Sequence, residues 1–161
     1  MKIVIGSDHW GVDTKARIGS LLSSAGHEIL DVGPRGKEPV DYPDFAHALC
    51  RKILDGSCER GILICGTGLG MSMAANRHAG IRAAVCHDPY TARMSRRHND
   101  ANVLCLGARV CGEGLIEEIV SAWLETPFEG ERHVPRVQKI ETQKIETHKI
   151  ETQKIKTRER T

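Results

Sequence analysis

Short apolar runs alternate with stretches of helical periodicity along most of the chain. The apolar runs predict five β-strands, at residues 2–6, 28–32, 61–65, 81–86 and 103–107. The stretches between them predict helices over about 13–25 and 43–54, after Gly70, after Pro89, and over about 114–124. The third strand is almost entirely apolar, which is typical of a central parallel strand covered by helices on both faces.

This alternation indicates the α/β fold class. Strands that are separated by helices build a parallel sheet, because each crossover helix returns the chain to the same edge of the sheet. Right-handed crossovers restrict the possible topologies to a few. We therefore predict a Rossmann-like, doubly wound, five-stranded parallel sheet with helices on both faces and the strand order 2-1-3-4-5.

The composition changes abruptly after Val137. From there a Lys-Ile-Glu-Thr-Gln type of unit recurs every five residues. On a helix this period turns successive isoleucines by about 140°, and on a strand it places them on opposite faces, so neither element gains an apolar side. We predict one domain over residues 1–137 and a low-complexity, largely disordered tail over residues 138–161.

Charge and length exclude several classes of protein. The net charge of the chain is +2, and the tail supplies seven basic and four acidic residues, which leaves −1 for residues 1–137. So small a balance does not support a nucleic-acid partner.

The apolar runs are far shorter than the ~20 residues that cross a membrane, and no signal-peptide pattern opens the chain. The six cysteines form no C-x-x-C pair, so we expect a cytoplasmic protein with reduced thiols.

The strongest candidate for chemistry is the loop after the third strand, Cys65-Gly66-Thr67-Gly68-Leu69-Gly70. Glycines allow backbone N–H groups to face an anion at a helix N-terminus, and the same position favours the thiolate form of a cysteine. Cys65 is thus a candidate base or nucleophile; the alternative is a buried apolar cysteine beside a simple turn. Met71 stands where a dinucleotide fingerprint has glycine and a cysteine-phosphatase loop has arginine, which weakens both of those interpretations.

Asp8 and His9 follow the first strand, which lies beside the third in the predicted order. The two side chains should therefore share a crevice with Cys65 and Thr67, since ligands bind where the strand order reverses. Taken alone, the pair could equally be a helix cap and a surface histidine.

Two further groups of residues would suit a phosphorylated ligand. His98 and Asn99 lie near the end of the fourth predicted helix, where Asn99 could bind a ligand or merely terminate the helix. Arg132 and Arg136 are four residues apart, so on a helix both guanidinium groups would share one face and could bind phosphate. A solvated charged surface is the alternative for these arginines. The remaining histidines show no spacing typical of metal ligands.

Taken together, these segments resemble the ribose-5-phosphate isomerase B family, which includes galactose-6-phosphate isomerases. The matching segments span residues 1–137 in the order found in the family: Gly6-Ser7-Asp8-His9-Trp10-Gly11, Asp41-Tyr42-Pro43-Asp44, the loop 65–70 with its strand, Ala75-Asn76-Arg77, Gly80-Ile81-Arg82-Ala83, the segment 95–104, and Arg132-His133 with Arg136-Val137. Two features depart from the family pattern. Trp10 stands where members usually carry a smaller residue, and the repeat tail is not a family feature.

The resemblance implies an aldose–ketose isomerase that interconverts ribose 5-phosphate and ribulose 5-phosphate through a cis-enediolate. This reaction belongs to the non-oxidative pentose phosphate pathway and needs neither a metal nor an organic cofactor. By the same resemblance Cys65 is the base, Thr67 assists proton transfer at the oxygens, and His98 opens the sugar ring. The implied substrate-binding residues are Asp8, His9, Gly66, Thr67, Gly68, Leu69, Gly70, Asn99, Arg109, Arg132 and Arg136.

The resemblance also implies a homodimer, or a dimer of dimers, with active sites shared between subunits. The region of His98, Asn99 and Arg109 would then come from the partner chain. Two alternative functions remain. One is the same chemistry on a phosphorylated hexose, either galactose 6-phosphate or allose 6-phosphate. The other is a non-catalytic nucleotide-binding module that uses the same glycine loop.

Overall fold

The computed structural model describes residues 1–142 of the 161. The strands are β1 (Lys2–Ser7), β2 (Glu28–Asp31), β3 (Arg60–Cys65), β4 (Ala83–Val85) and β5 (Val103–Gly107). The helices are α1 (Val12–Ser24), α2 (Tyr42–Leu54), α3 (Leu69–Ala75), α4 (Pro89–Asn99), α5 (Glu113–Glu125) and α6 (Val134–Thr142), with a 3₁₀ turn at Glu131–His133. The predicted strands and helices are confirmed, whereas α6 and the 3₁₀ turn were not predicted.

The five strands form one parallel sheet with the order β2-β1-β3-β5-β4. The predicted fold class is confirmed, but the predicted order 2-1-3-4-5 is wrong for the last two strands. All five residues of β5 are buried, and they pair with β3 from Gly61↔Val103 to Cys65↔Gly107. β4 has only three residues, all half-buried. The longer apolar strand buries more surface at the centre, and the short strand is tolerated at the edge.

Helices cover both faces of the sheet. Alternate residues of β3 face opposite sides, so Ile62 and Ile64 pack with α1, α4 and α5, whereas Leu63 and Cys65 pack with α2 and α3. The largest fully buried side chain is Trp123 of α5, in the first of these cores. Within residues 1–142, no helix is long and apolar enough to cross a membrane.

The last helix crosses the predicted boundary between domain and tail. α6 runs from Val134 to Thr142, so residues 138–142 are helical rather than disordered. Glu141 contacts the domain, because its carboxylate accepts a hydrogen bond from the Gly80 N–H at 2.8 Å and lies 3.3 Å from an Arg82 nitrogen. The rest of the predicted tail, residues 143–161, lies outside the described residues.

A buried lysine joins α1 to the end of β2 and to the chain that follows it. The Lys15 Nζ donates hydrogen bonds to both Asp31 carboxylate oxygens at 2.7 and 2.8 Å and to the Pro34 carbonyl at 2.7 Å. Only 3% of the Lys15 side chain is exposed. We expect Lys15→Met to lower the free energy of unfolding by about 2 kcal/mol, because the carboxylate and the carbonyl lose a buried charged donor. Urea denaturation at pH 7 measures this loss.

Lys37→Met is the matched control. Lys37 also lies 2.7 Å from an aspartate, Asp13, but both side chains are largely exposed. An exposed pair of this kind contributes at most about 1 kcal/mol. Equal losses in the two variants would show that burial of Lys15 does not strengthen its interactions.

Candidate active site

Loops from β1, β3 and β5 meet at the carboxyl edge of the sheet. The Asp8 N–H donates to the Ile64 carbonyl at 3.0 Å, which joins the loop after β1 to β3. On the other side, the Ala108 N–H donates to the Cys65 carbonyl at 2.8 Å, and the Arg109 N–H to the Gly66 carbonyl at 3.1 Å. The structure thus brings the segments that contain Asp8, His9, Cys65 and Arg109 to one edge.

The loop after β3 directs a backbone donor at the Cys65 sulfur. Cys65 is 5% exposed, and the Gly68 N–H donates to its Sγ at 3.1 Å. Gly68 has φ +82°, and a Cβ there would also lie 3.1 Å from the Leu106 carbonyl carbon, so the turn requires glycine. Beside it, the exposed Thr67 accepts a hydrogen bond at Oγ1 from the Leu69 N–H, at 3.4 Å. An amide that faces sulfur stabilises a thiolate, and a neighbouring hydroxyl can relay a proton.

The other cysteines lack the properties of a base. Burial raises the pKa of each of their thiols, to about 11 for Cys50 and well above its ordinary value for Cys105. The same cause raises the pKa of Cys58, Cys86 and Cys111. These five residues therefore remain protonated core thiols at neutral pH.

The turn after β1 orients the next two candidate residues. The buried Asp8 accepts hydrogen bonds at Oδ1 from the N–H groups of Trp10 at 2.8 Å and Gly11 at 3.1 Å. The neighbouring His9 accepts one at Nδ1 from the Val40 N–H, at 3.3 Å. Asp8 therefore shapes the loop as well as presenting a carboxylate beside β3.

Arg109 lies next to the loop 65–70 of its own chain. Its guanidinium carbon is 4.4 Å from the centre of the Trp10 ring, and both side chains are exposed. The resemblance implied that the region of Arg109 comes from the partner chain. The structure instead places Arg109 beside Gly66 and Trp10 of the same chain.

The other predicted site residues lie at the opposite edge of the sheet. α4 begins after the carboxyl end of β4 and returns to the amino edge, where His98 and Asn99 form its last turn. The six residues of β3 separate this edge from Cys65 by roughly 16 Å. His98 and Asn99 therefore cannot reach the sulfur of their own chain.

Arg132 and Arg136 accompany His98 at this amino edge. Arg132 lies in the 3₁₀ turn and Arg136 in α6, so two consecutive segments carry them. The Arg132 Nε donates to the His133 Nε2 at 3.3 Å, and the His133 ring stacks on His98 with 4.4 Å between centroids. Both arginines are exposed.

Glu129 and His133 belong to this group, although the sequence interpretation did not include them. The Glu129 Oε2 lies 3.6 Å from the His98 Nε2 and 3.3 Å from the His133 Nε2. A hydrogen bond from Arg97 lowers the pKa of Glu129, and burial, with the charges of His98 and Arg132, lowers the pKa of His133. The i,i+4 spacing of Glu129 and His133 was the available signal, but it has meaning only when His98 is known to lie beside them.

The same three side chains offer ligand atoms within 4.8 Å of one another, close enough for a metal ion to bridge. However, Arg97 already contacts Glu129 and Arg132 already contacts His133. Two guanidinium groups beside the trio repel a cation, so an ion-pair network describes this group better than a metal centre does.

A second network positions the end of α4. α4 ends at Asn99, and Asp100 after it takes the left-handed conformation, with φ +48°. The Asp100 carboxylate forms ion pairs with Arg96 at 2.8 Å and with Arg82 at 3.0 Å. The buried Arg96 also donates a hydrogen bond to the Ala101 carbonyl. These bonds hold the backbone that carries His98 and Asn99.

Comparisons with known proteins show the family of this chain. Residues 3–140 match the family model described as Ribose/Galactose Isomerase. Ribose-5-phosphate isomerase B of Escherichia coli K12 is 48% identical over 139 residues, which cover 86% of this chain and 93% of that protein. D-erythrulose-4-phosphate isomerase of Pectobacterium atrosepticum is 46% identical over 142 residues, 87% of this chain and 93% of that protein.

A solved structure of Clostridium thermocellum ribose-5-phosphate isomerase B superposes with a TM-score of 0.86 at 55% identity, covering 87% of this chain and 95% of that one. The residues matched by the family model include the carboxyl-edge loops, α4 and Arg132. The chain therefore belongs to the ribose/galactose isomerase family.

Proposed function

We propose that this protein interconverts ribose 5-phosphate and ribulose 5-phosphate with its own side chains, without a metal or an organic cofactor. The observation that carries the proposal is the hydrogen bond from the Gly68 N–H to the Cys65 sulfur, in a loop lined by further amides and adjoining Arg109. The ribose-5-phosphate isomerase B relatives support the same substrate.

In this mechanism the Cys65 thiolate removes the proton from C2 of the open-chain aldose. The electron pair of that C–H bond forms the C1–C2 double bond, and the carbonyl oxygen becomes the enediolate oxyanion. The amides of residues 66–70 stabilise this charge, and Thr67 moves the hydroxyl proton between the two oxygens. The thiol then returns a proton to C1, which gives the ketose without any net oxidation.

Ring opening and phosphate binding require residues from both edges of the sheet. We assign ring opening to His98, sugar contacts to Asp8 and Asn99, and phosphate binding to four further residues: His9, Arg109, Arg132 and Arg136. Because His98 and Asn99 lie roughly 16 Å or more from Cys65 within one chain, a second copy must supply them. The working unit is thus a homodimer with shared sites, alone or paired into a dimer of dimers.

Exposed apolar side chains support this assembly. Leu69 and Met73 of α3 are 50% and 65% exposed, and Val110 after β5 is 52% exposed. They lie on segments beside the catalytic loop, where a two-fold-related copy would bury them. The buried free cysteines, Cys65 among them, suit the reducing cytoplasm in which we place the enzyme.

A second candidate is the same reaction on a shorter sugar, since the Pectobacterium relative is named for erythrulose 4-phosphate. The family description also mentions galactose, so hexose phosphates remain alternative substrates.

The test is turnover by the purified protein on ribose 5-phosphate, erythrulose 4-phosphate, allose 6-phosphate and galactose 6-phosphate. We expect the highest kcat/KM with ribose 5-phosphate. A higher value for another sugar would reassign the substrate. Absence of turnover on all four, combined with thermal stabilisation by NAD or ATP, would favour a nucleotide-binding module instead.

A further inference from the structure

Trp10 occupies the mouth of the candidate active site. Trp10 is 54% exposed, and its ring centre lies 4.4 Å from the Arg109 guanidinium carbon. A Cβ at Gly66 would lie 3.9 Å from the Trp10 Cδ1 and 3.8 Å from the Arg109 Cδ, so the three residues border the same space. The backbone N–H of Trp10 donates a hydrogen bond to the Asp8 carboxylate, which fixes the backbone position from which the indole extends.

Arg109 differs from several other arginines in its choice of partner. Arg17, Arg82, Arg96 and Arg97 each form an ion pair with a carboxylate. Within residues 1–142 no carboxylate lies within ion-pair distance of Arg109, whose charge instead faces the indole. The Arg109 charge is therefore not neutralised by an acidic group in the described part of the chain.

A guanidinium stacked on an aromatic ring can still bind an anion. Stacking uses the face of the guanidinium, while its N–H groups point outward in the plane and match the oxygens of a phosphate. Stacking also restricts a long, flexible side chain to a few rotamers, which reduces the entropy lost when the anion binds.

We propose that Trp10 is a positioning residue that holds Arg109 ready for the phosphate group of the substrate. This inference rests on the proposed function, in which Arg109 binds phosphate. Trp10 acts on the affinity for the phosphorylated end and not on proton transfer at Cys65. It should therefore change KM and leave kcat nearly unaltered.

The kinetic test uses Trp10→Ala, Trp10→Phe, Arg109→Ala and the double variant Trp10→Ala/Arg109→Ala. We expect Trp10→Ala to raise KM about fivefold to tenfold with kcat within about twofold, and Trp10→Phe, which keeps a ring face, to restore most of the affinity. Adding Trp10→Ala to Arg109→Ala should raise KM no further. An unchanged KM in Trp10→Ala, a loss confined to kcat, or additive effects in the double variant would overturn the inference.

A binding measurement separates this inference from the proposed function. The chain has two tryptophans, and Trp123 is fully buried, so the exposed Trp10 should report a ligand at Arg109 through its fluorescence. We expect titration with inorganic phosphate to change the emission of the unaltered protein and to leave that of Trp10→Phe and Arg109→Ala unchanged. A phosphate response in a protein that isomerises no sugar phosphate would support the Trp10–Arg109 site while refuting the isomerase. Turnover without a phosphate response, and with unchanged KM in Trp10→Ala, would refute the role of Trp10 and leave the proposed isomerase function intact.

Discussion

Replacing Cys65 with alanine is expected to lower kcat for ribose 5-phosphate by about a thousandfold. A positioned base contributes roughly 10²- to 10⁴-fold to proton abstraction, and alanine has no group that can accept the C2 proton. The loop should keep its shape, because the conformation of Gly68 and its fit against Leu106 do not depend on the sulfur. Appearance of the ketose measures the loss, and exchange of the C2 proton with deuterated solvent tests the chemical step directly.

Cys58→Ala is the matched control for this variant. Cys58 is also buried, at 4% exposure, but it lies at the amino edge, and burial raises the pKa of its thiol. We expect its kcat to remain within about twofold of the unaltered protein. Circular dichroism and urea unfolding establish that both variants fold. If folded Cys65→Ala keeps more than a tenth of the turnover, Cys65 is not the base.

Two inactive variants should regain activity when they are combined in one dimer. Cys65→Ala lacks the proposed base, and His98→Ala lacks the residue that we assign to ring opening, which lies at the other edge of the sheet. In a dimer with one copy of each, one shared site has both residues intact and the second has neither. Purified mixed dimers should therefore show about half of the unaltered turnover per dimer, although each parent is nearly inactive.

The experiment requires co-expression with two different affinity tags and purification on both. A mixed dimer of Cys65→Ala with Cys65→Ala/His98→Ala is the control, because neither of its sites contains Cys65. If the mixed dimer turns over no faster than this control, each site lies within a single chain. That result would refute both the shared site and the assignment of ring opening to His98.

Local features of this protein could be predicted because short segments of the sequence determine them. A buried parallel strand needs a continuous apolar run, which Gly61–Cys65 provides, and each helix shows its own periodicity. The loop 65–70 is one contiguous segment, so its cysteine and glycines predict a turn that places backbone amides near a sulfur. The bond from Gly68 to Cys65 spans only three residues and needs no distant partner.

The tertiary structure decided which distant segments become neighbours. The strand order depended on whether β4 or β5 buries more surface against β3. That question compares two whole strands, and the periodicity within each strand does not answer it. For the same reason the sequence could not place His133 on His98, or Arg109 on Trp10, which lie 35 and 99 positions apart in the chain.

The sequence by itself determined the fold class and the chemical character of the loop 65–70, since both depend on residue types and short spacings. Only the tertiary structure showed which distant side chains meet: Arg109 and Trp10 at the carboxyl edge, and His133 and His98 at the amino edge. The direction of α4 follows from the parallel topology, since a crossover helix that begins at the carboxyl edge ends at the amino edge, and it carries His98 away from Cys65. These contacts depend on the packing of the whole domain, which is the physical reason why local sequence patterns could not show them.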